Sequence, residues 1–231
     1  MKTETTKNSG EVRLPRRAFL QYAGAGAAAI GLLAAGCKKI DDVKMKNSGS
    51  SIDIGMGDLA ILNYAYALEQ LEAAFYIKVV GTPYSGMSTD ERLRFTQICE
   101  HEVIHREFFK AALGTNAIPD LKPDFSKINF GDRTSVLGAA KAFEDTGVAA
   151  YDGAGYLIVN PDYLTIAGKI VSVEARHAAY IRNLVKAGDY AGSDVIDANG
   201  LNTSMTIAQV LAIANTFLVT KVSASHYDYV A

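Results

Sequence analysis

The chain has 231 residues, 49% of them hydrophobic, and its formal net charge at pH 7 is −2. This length and composition suit a single packed domain, and the nearly neutral charge excludes the broad basic surface that binds nucleic acid. We therefore expect no nucleic-acid partner.

Residues 1–36 have the character of an export signal. The segment at 15–21 contains a pair of arginines and resembles a twin-arginine motif, and the apolar run at 23–35 is too short to cross a bilayer as a helix. Ala34-Ala35-Gly36-Cys37 resembles a bacterial lipobox, whose cysteine receives a lipid. We therefore expect an exported protein that Cys37 anchors to a bacterial membrane, on the periplasmic side. An ordinary N-terminal helix is the alternative interpretation.

The residues from Cys37 onward predict a tether and then two helices. Residues 37–57 are charged, rich in Ser and Gly and without a hydrophobic period, which is typical of flexible linkers. The first helix is expected from about 59 to 80, where a Gly-Thr-Pro sequence ends the periodicity. The second helix follows a capping box that begins at Ser88, and it is expected to end near Leu113.

The second half of the chain predicts a long crossover and three more helices. The crossover contains two prolines and no sustained period, as expected where a four-helix bundle joins its two helix pairs. Because no segment reads convincingly as a strand, the expected fold class is all-α. The expected segments are the crossover at 116–134, the third helix at 135–157, the fourth at 161–186, a loop at 190–204 and a fifth helix at 206–219. They form a bundle at 58–188 and a loop and helix at 189–231 that pack on it.

One pattern of polar residues occurs twice within the predicted helices. It consists of a glutamate seven residues before a tyrosine, followed about one helix later by a glutamate three residues before a histidine. The first copy comprises Glu69, Tyr76, Glu102 and His105, and the second comprises Glu144, Tyr151, Glu174 and His177. Residues three apart lie on one helix face, so each Glu-x2-His pair directs a carboxylate and an imidazole at the same space.

Each of the four glutamates lies in an otherwise apolar stripe of its predicted helix. A lone glutamate is usually solvated, but four buried carboxylates need metal ions, protons or polar partners. Four carboxylates and two imidazoles are the set that holds two metal ions in a four-helix bundle. Mixed oxygen and nitrogen ligands suit two iron ions, with manganese as the alternative, and leave room for dioxygen or peroxide.

Three sequence segments carry a resemblance to a known family. They are Leu68-Glu69-Gln70-Leu71-Glu72-Ala73-Ala74-Phe75-Tyr76, Ala142-Phe143-Glu144-Asp145-Thr146-Gly147-Val148 and Val173-Glu174-Ala175-Arg176-His177-Ala178. Over residues 58–186 the chain resembles the ferritin-like superfamily, which includes bacterioferritin, rubrerythrin and manganese catalase. More narrowly, it resembles the exported branch to which desiccation-associated proteins belong.

The resemblance implies a role for each residue of the repeated pattern. Glu69 and His105 would bind one metal, Glu144 and His177 the other, and Glu102 and Glu174 would bridge both. Tyr76 and Tyr151 would contact the ligands rather than the metals, orienting them or taking part in redox steps. The alternative for both tyrosines is that they are large core side chains.

A competing motif overlaps the second helix. His101-Glu102-Val103-Ile104-His105 matches the zinc metallopeptidase signature, in which both histidines hold zinc and the glutamate is the general base. The peptidase hypothesis leaves the other ligand candidates unexplained, and no strand is predicted that could bind an extended peptide. In the two-metal hypothesis, His101 is expected beside the ligands, in contact with a neighbouring carboxylate.

Three further residues lie outside the repeated pattern. Glu72 lies one turn from Glu69 and is a weaker ligand candidate, expected to face water or the entrance of the site. Cys99 precedes Glu102 by three residues and is expected to be a small core residue. His226 lies in a polar C-terminal tail, and the sequence assigns it no role.

These observations predict an exported, lipid-anchored protein with redox chemistry at a carboxylate-bridged pair of metal ions. The expected reactions are oxidation of Fe(II) by dioxygen or peroxide, or removal of peroxide, with no catalytic residues beyond the metal ligands. The alternative is a metal-binding or structural stress protein without turnover. The assembly that we consider is a homodimer.

Overall fold

The computed structural model describes residues 51–231. The predicted export signal, Cys37 and most of the predicted tether lie outside the described residues. Four long helices dominate the described part: α1 (Gly57–Gly81), α2 (Thr89–Leu113), α3 (Arg133–Ala154) and α4 (Pro161–Val185). Helix α1 packs mainly on α2, and α3 packs mainly on α4. The predicted all-α bundle is confirmed.

The helix ends follow from local sequence chemistry. The Ser88 hydroxyl accepts a hydrogen bond from the Glu91 backbone, and the Glu91 carboxylate accepts one from the Ser88 backbone, so the predicted capping box is present. Asn160 caps α4, and Pro161 takes the first helical position, where no backbone donor is needed. Helix α3 begins two residues earlier than expected because Asp132 caps it.

The long crossover between α2 and α3 is held against the bundle by polar side chains of α1. Asn63 accepts a hydrogen bond from the Ile118 backbone at 2.8 Å and donates one to the Asn116 carbonyl at 2.9 Å. Gln70 accepts one from the Leu121 backbone at 2.6 Å. These bonds satisfy backbone groups that the irregular crossover leaves without helical partners.

The sequence predicted no strand, whereas the structure has a small parallel sheet. Strand β1 (Ser51–Asp53) pairs with strand β2 (Lys221–Ser223). The flexible tether predicted at 37–57 is therefore wrong for its last residues, because 51–53 form β1 and Gly57 begins α1. The sheet joins the start of the bundle to the far end of the chain.

The fifth helix is shorter than predicted, and the segment around it packs on the bundle. Helix α5 (Ile207–Ala214) is followed by a 3₁₀ turn and then by β2. The Met205 backbone donates a 3.0 Å hydrogen bond to the Ala149 carbonyl of α3. Gly153 permits this approach, since a Cβ there would stand 1.8 Å from the Met205 oxygen. Within residues 51–231, no helix combines the length and apolar character needed to span a bilayer.

Candidate metal centre

All six predicted ligands meet in the interior of the bundle. Helix α1 contributes one glutamate, α3 contributes another, and α2 and α4 each contribute a Glu-x2-His pair. We call this set the carboxylate–imidazole cluster: Glu69, Glu102, His105, Glu144, Glu174 and His177. Their exposed fractions range from 0% for three of the glutamates to 9% for His105. The cluster is thus a polar centre enclosed by an apolar core.

The cluster contains two sets of four residues, each compact enough to hold one metal ion. One set is Glu69, Glu102, His105 and Glu174, and the other is Glu102, Glu144, Glu174 and His177. In each set, the potential ligand atoms lie within 4.8 Å of one another. Glu102 and Glu174 belong to both sets, so the geometry contains two adjacent sites with two carboxylates in common.

The two shared carboxylates each turn one oxygen towards each histidine. Oε1 of Glu174 lies 2.8 Å from Nδ1 of His105, and its Oε2 lies 3.6 Å from Nδ1 of His177. Glu102 repeats the arrangement, with Oε1 2.8 Å from His177 and Oε2 3.8 Å from His105. Ligands about 2.1 Å from one cation and at right angles around it lie about 3 Å apart. These separations therefore suit carboxylates that bridge two cations.

The two tyrosines of the repeated pattern exchange partners between α1 and α3. Tyr76 donates a hydrogen bond to Oε1 of Glu144, and Tyr151 donates one to Oε1 of Glu69 at 2.5 Å. Each glutamate thereby keeps its second oxygen for the cluster, where Oε2 of Glu69 lies 3.5 Å from His105 and Oε2 of Glu144 lies 3.5 Å from His177. The tyrosines orient the glutamates, as metal-site partners commonly do.

His101 contacts a histidine and not the carboxylate that the sequence led us to expect. Its Nδ1 lies 2.9 Å from Nε2 of His177, and the two rings are nearly parallel, at 9°. His101 is exposed, so it connects the buried His177 with the surface. The equivalent position in the other half, one residue before Glu174, is Val173, which offers no such hydrogen bond.

Glu72 is buried, so the first of its two expected positions, facing water, is wrong. Its exposed fraction is 5%, and burial raises its pKa well above the ordinary value, with further increases from the cluster carboxylates. Gly147 makes room for it, since a Cβ there would stand 3.1 Å from Oε1 of Glu72. Glu72 follows Glu69 by three residues, as Gly147 follows Glu144. That spacing places Glu72 on the ligand face, but its burial depends on a glycine in another helix.

The electrostatics of the metal-free centre favour retained protons. Burial raises the pKa of Glu144 to about 7, although His177 opposes the shift. Burial opposes charging of His105, but its contacts with Glu102, Glu174 and Glu69 outweigh this and raise its pKa to about 12. Burial also raises the pKa of Glu102 well above its ordinary value. Several buried carboxyl groups without enough cations bind protons, and a divalent cation would displace them.

The hydrogen bonding of the polar atoms in the cluster tests whether metal ions fit there. Buried polar atoms are normally hydrogen-bonded, and exceptions need a physical reason. Eight buried atoms of the cluster lie close to one another but make no hydrogen bond of normal geometry: Oε2 of Glu69, both carboxylate oxygens of Glu102 and Glu174, Oε2 of Glu144, and Nδ1 of His105 and His177. These are the atoms that face one another across the two sets. Oxygen and nitrogen atoms crowded together in a buried space, from which cations would displace protons, fit two bound cations.

The geometry does not favour the zinc metallopeptidase motif. That hypothesis requires His101 and His105 to converge on one ion, yet His101 meets His177 and belongs to neither set of ligands. Glu102, the supposed general base, is fully buried between the two histidines. Cys99 is half-buried against the core, and His226 lies in a C-terminal turn, and neither belongs to a set in the described part of the chain.

Comparison with known proteins agrees with the architecture. A family model described as a ferritin-like domain matches residues 57–187. The match covers more than half of the chain, begins with α1, ends just after α4 and includes every residue of the carboxylate–imidazole cluster. No curated protein matches the chain.

Proposed function

Because the chain belongs to the ferritin-like domain family, we propose that it binds two redox-active metal ions and uses them to react with dioxygen or peroxide. The single observation that carries the proposal is the sharing of Glu102 and Glu174 between the two sets of ligand atoms. A lone metal ion would need only one set. Two sets with common carboxylates would hold two ions close enough to act on one small molecule.

Each ion would have its own ligands and two shared ones. Glu69 and His105 would hold one ion, Glu144 and His177 the other, and Glu102 and Glu174 both. Carboxylate and imidazole ligands suit iron, with manganese as the alternative. When bound, the pair of ions would supply two electrons, which with two protons reduce peroxide to two molecules of water.

Residues next to the predicted ligands orient them and bind protons. Tyr76 and Tyr151 fix one oxygen of Glu144 and Glu69, so that the other oxygen stays directed at the centre. If Nδ1 of His177 holds a metal ion, its ring proton would be on Nε2, and this N–H would donate the hydrogen bond to Nδ1 of His101. Glu72, buried with its pKa raised by burial and by nearby carboxylates, holds a proton close to the centre.

We also propose that this chemistry takes place outside the cytoplasm on a membrane-anchored protein. The support is the twin-arginine-like segment and the lipobox-like sequence that ends at Cys37. The twin-arginine route carries folded proteins, so metal could be inserted before export. Loading iron or manganese first would avoid competition from copper and zinc, which bind such ligands more tightly.

The proposal is tested by metal content followed by turnover. The purified protein, made in cells supplied with iron and manganese, should contain about two of these ions per chain by inductively coupled plasma mass spectrometry. The iron-loaded, reduced protein should then consume dioxygen or peroxide, and Glu174→Ala should abolish consumption. A folded protein that takes up no Fe(II) or Mn(II) would overturn the metal proposal. A loaded protein that consumes neither oxidant would leave a structural metal site.

A further inference from the structure

A small apolar cavity lies inside the bundle, next to the carboxylate–imidazole cluster. Its volume is about 20 Å³, which is enough for one molecule of the size of water or a diatomic gas. All four long helices contribute to its wall, among them Ala65 and Leu68 of α1, Phe109 of α2, Ala150 and Ala154 of α3 and Ala167 of α4. The cavity therefore lies between the four helices and is partly open to solvent.

The wall of the cavity includes a side chain that contacts a predicted metal ligand. Tyr151 lines it, and the hydroxyl group of the same tyrosine donates its hydrogen bond to Glu69. The wall also includes Ile158 and Ala167, which are only partly buried. A molecule in the cavity would contact Tyr151, whose hydroxyl group bonds Glu69, and would be one side chain away from that ligand.

The cavity exists because the second half of the bundle has small residues at positions where the first half has large ones. Six residues after Glu69 is Phe75, and six after Glu144 is Ala150. Likewise, seven residues before Glu102 is Phe95, whereas seven before Glu174 is Ala167. The two phenylalanines are fully buried, and their rings lie 5.0 and 6.2 Å from that of Tyr76. Aromatic rings thus fill the Tyr76 end, and alanines leave space at the Tyr151 end.

The side chains that line the cavity favour an apolar molecule. Of the described side chains around the cavity, only Tyr64 and Tyr151 carry a polar atom. The Tyr151 hydroxyl is already directed at Glu69, and the buried Tyr64 hydroxyl has no hydrogen-bond partner. A buried water typically needs about three such partners, and apolar cavities stay dry and bind small apolar molecules. A water molecule would find a free partner only in the Tyr64 hydroxyl group, whereas buried waters typically have about three, so an apolar molecule is favoured.

We propose that this cavity binds dioxygen and delivers it to the Tyr151–Glu69 side of the centre. The delivery step rests on the proposed function, but binding of dioxygen in the cavity needs no metal. Dioxygen is small, apolar and uncharged, and it matches both the volume and the lining of the cavity. Delivery would be one-sided, because the aromatic rings around Tyr76 close the opposite end.

The test uses the metal-free full chain with ¹³C-labelled alanine methyl groups, examined by NMR under nitrogen and under pressurised dioxygen. Dioxygen is paramagnetic and accelerates the relaxation of methyl groups that it approaches. The methyl groups of Ala65, Ala150 and Ala154 should relax severalfold faster than those of Ala60 and Ala140. The latter two are at least as buried but do not line the cavity. Equal acceleration at all five methyl groups would overturn the proposal.

Two filling variants sharpen the test. Ala167→Phe recreates the filling that Phe95 provides in the other half, and Ala150→Val fills the inner wall if the first variant does not fold. Either should remove the excess relaxation at Ala65 and Ala154. Thr165→Phe, at an exposed position of the same helix, should leave it unchanged. Persistence in a folded filling variant would reject the cavity as the binding site.

The outcomes separate this inference from the proposed function. If the methyl groups report dioxygen in the cavity and the metal-loaded protein consumes no oxidant, the proposed function fails and the cavity remains a gas-binding site. If the loaded protein consumes dioxygen and the methyl groups report none in the cavity, the function stands and the proposed route is wrong.

Discussion

The hydroxyl group of Tyr151 on α3 donates a 2.5 Å hydrogen bond to Glu69 on α1. Tyr76 on α1 makes the corresponding bond to Glu144 on α3. Because each tyrosine lies seven residues after the glutamate of its own helix, this exchange requires α1 and α3 to run in opposite directions. The repeated Glu-x6-Tyr spacing therefore describes a contact between helices and sets the register of the bundle at its metal centre.

Removing the Tyr151 hydroxyl should weaken metal binding without unfolding the bundle. Tyr151→Phe leaves Oε1 of Glu69 without its donor, and this carboxylate can then turn away from the centre. Loss of such a supporting hydrogen bond typically lowers metal affinity by about 10-fold to 100-fold. Competition titration with a metal-binding dye, monitored for Fe(II) or Mn(II), would measure the change.

The control for this experiment is Tyr156→Phe. Tyr156 follows α3 closely in the chain and is 81% exposed. Its substitution therefore makes the same chemical change far from any buried contact. Its metal affinity should equal that of the unmodified protein. Equal affinity for Tyr151→Phe and Tyr156→Phe would show that the Tyr151 hydroxyl does not position Glu69.

The shared and unshared carboxylates should differ in the number of ions that are lost. Glu174→Ala removes a ligand from both sets and should reduce the content of both metals, whereas Glu69→Ala should leave the set around His177 intact. Metal-to-protein ratios from mass spectrometry would distinguish these outcomes. Glu107→Ala, an exposed position on α2, is the matched control and should retain full occupancy. Similar losses for Glu69→Ala and Glu174→Ala would contradict the bridging assignment.

The convergence of the six cluster residues could be predicted from the sequence because helical spacing fixes the face on which each side chain lies. The N-terminal ends of α2 and α4 could also be predicted, since a capping box and a proline at the first helical position involve only a few neighbouring residues. Strands β1 and β2 could not be found in the same way. Each has three residues, too few for an alternating pattern, and they pair across almost the whole described chain.

Contacts that depend on how one helix is rotated against another also could not be predicted from the sequence. The partner of His101 was expected to be a carboxylate, but the packing of α2 against α4 brings its ring to His177. The burial of Glu72 depends on Gly147 in α3. Helical spacing identifies the face of each residue, but it does not identify which side chain of the neighbouring helix comes opposite.

The stability of the metal-free protein should fall as the pH rises from about 5 to 9. Burial raises the pKa of Glu144 from an ordinary value of 4.5 to about 7, so the folded state holds a proton that the unfolded state has released. His105, whose carboxylate contacts raise its pKa to about 12, retains a further proton above its ordinary value of 6.5. When the folded state binds more protons, increasing pH destabilises it.

Thermal unfolding of the metal-free protein at a series of pH values would measure this dependence. The melting temperature should decrease by several degrees across the range, and Glu144→Gln should make the decrease smaller. With metal bound, the ligands are deprotonated, and the dependence should reverse because protons compete with the cations. A melting temperature of the metal-free protein that rises with pH would show that the centre does not retain these protons.

Two glycines of α3 offer a matched test of the space around Glu72. Gly138 is exposed, and a Cβ there would meet nothing within 4 Å, whereas a Cβ at Gly147 would stand 3.1 Å from Oε1 of Glu72. Gly138→Ala should stabilise the protein by about 1 kcal/mol, the usual helix-propensity gain. Gly147→Ala makes the same backbone change but must displace a buried carboxyl group, so it should be clearly less stable than Gly138→Ala. Urea unfolding of both metal-free variants would measure the difference, and equal stabilisation would show that Glu72 moves freely and does not need the glycine.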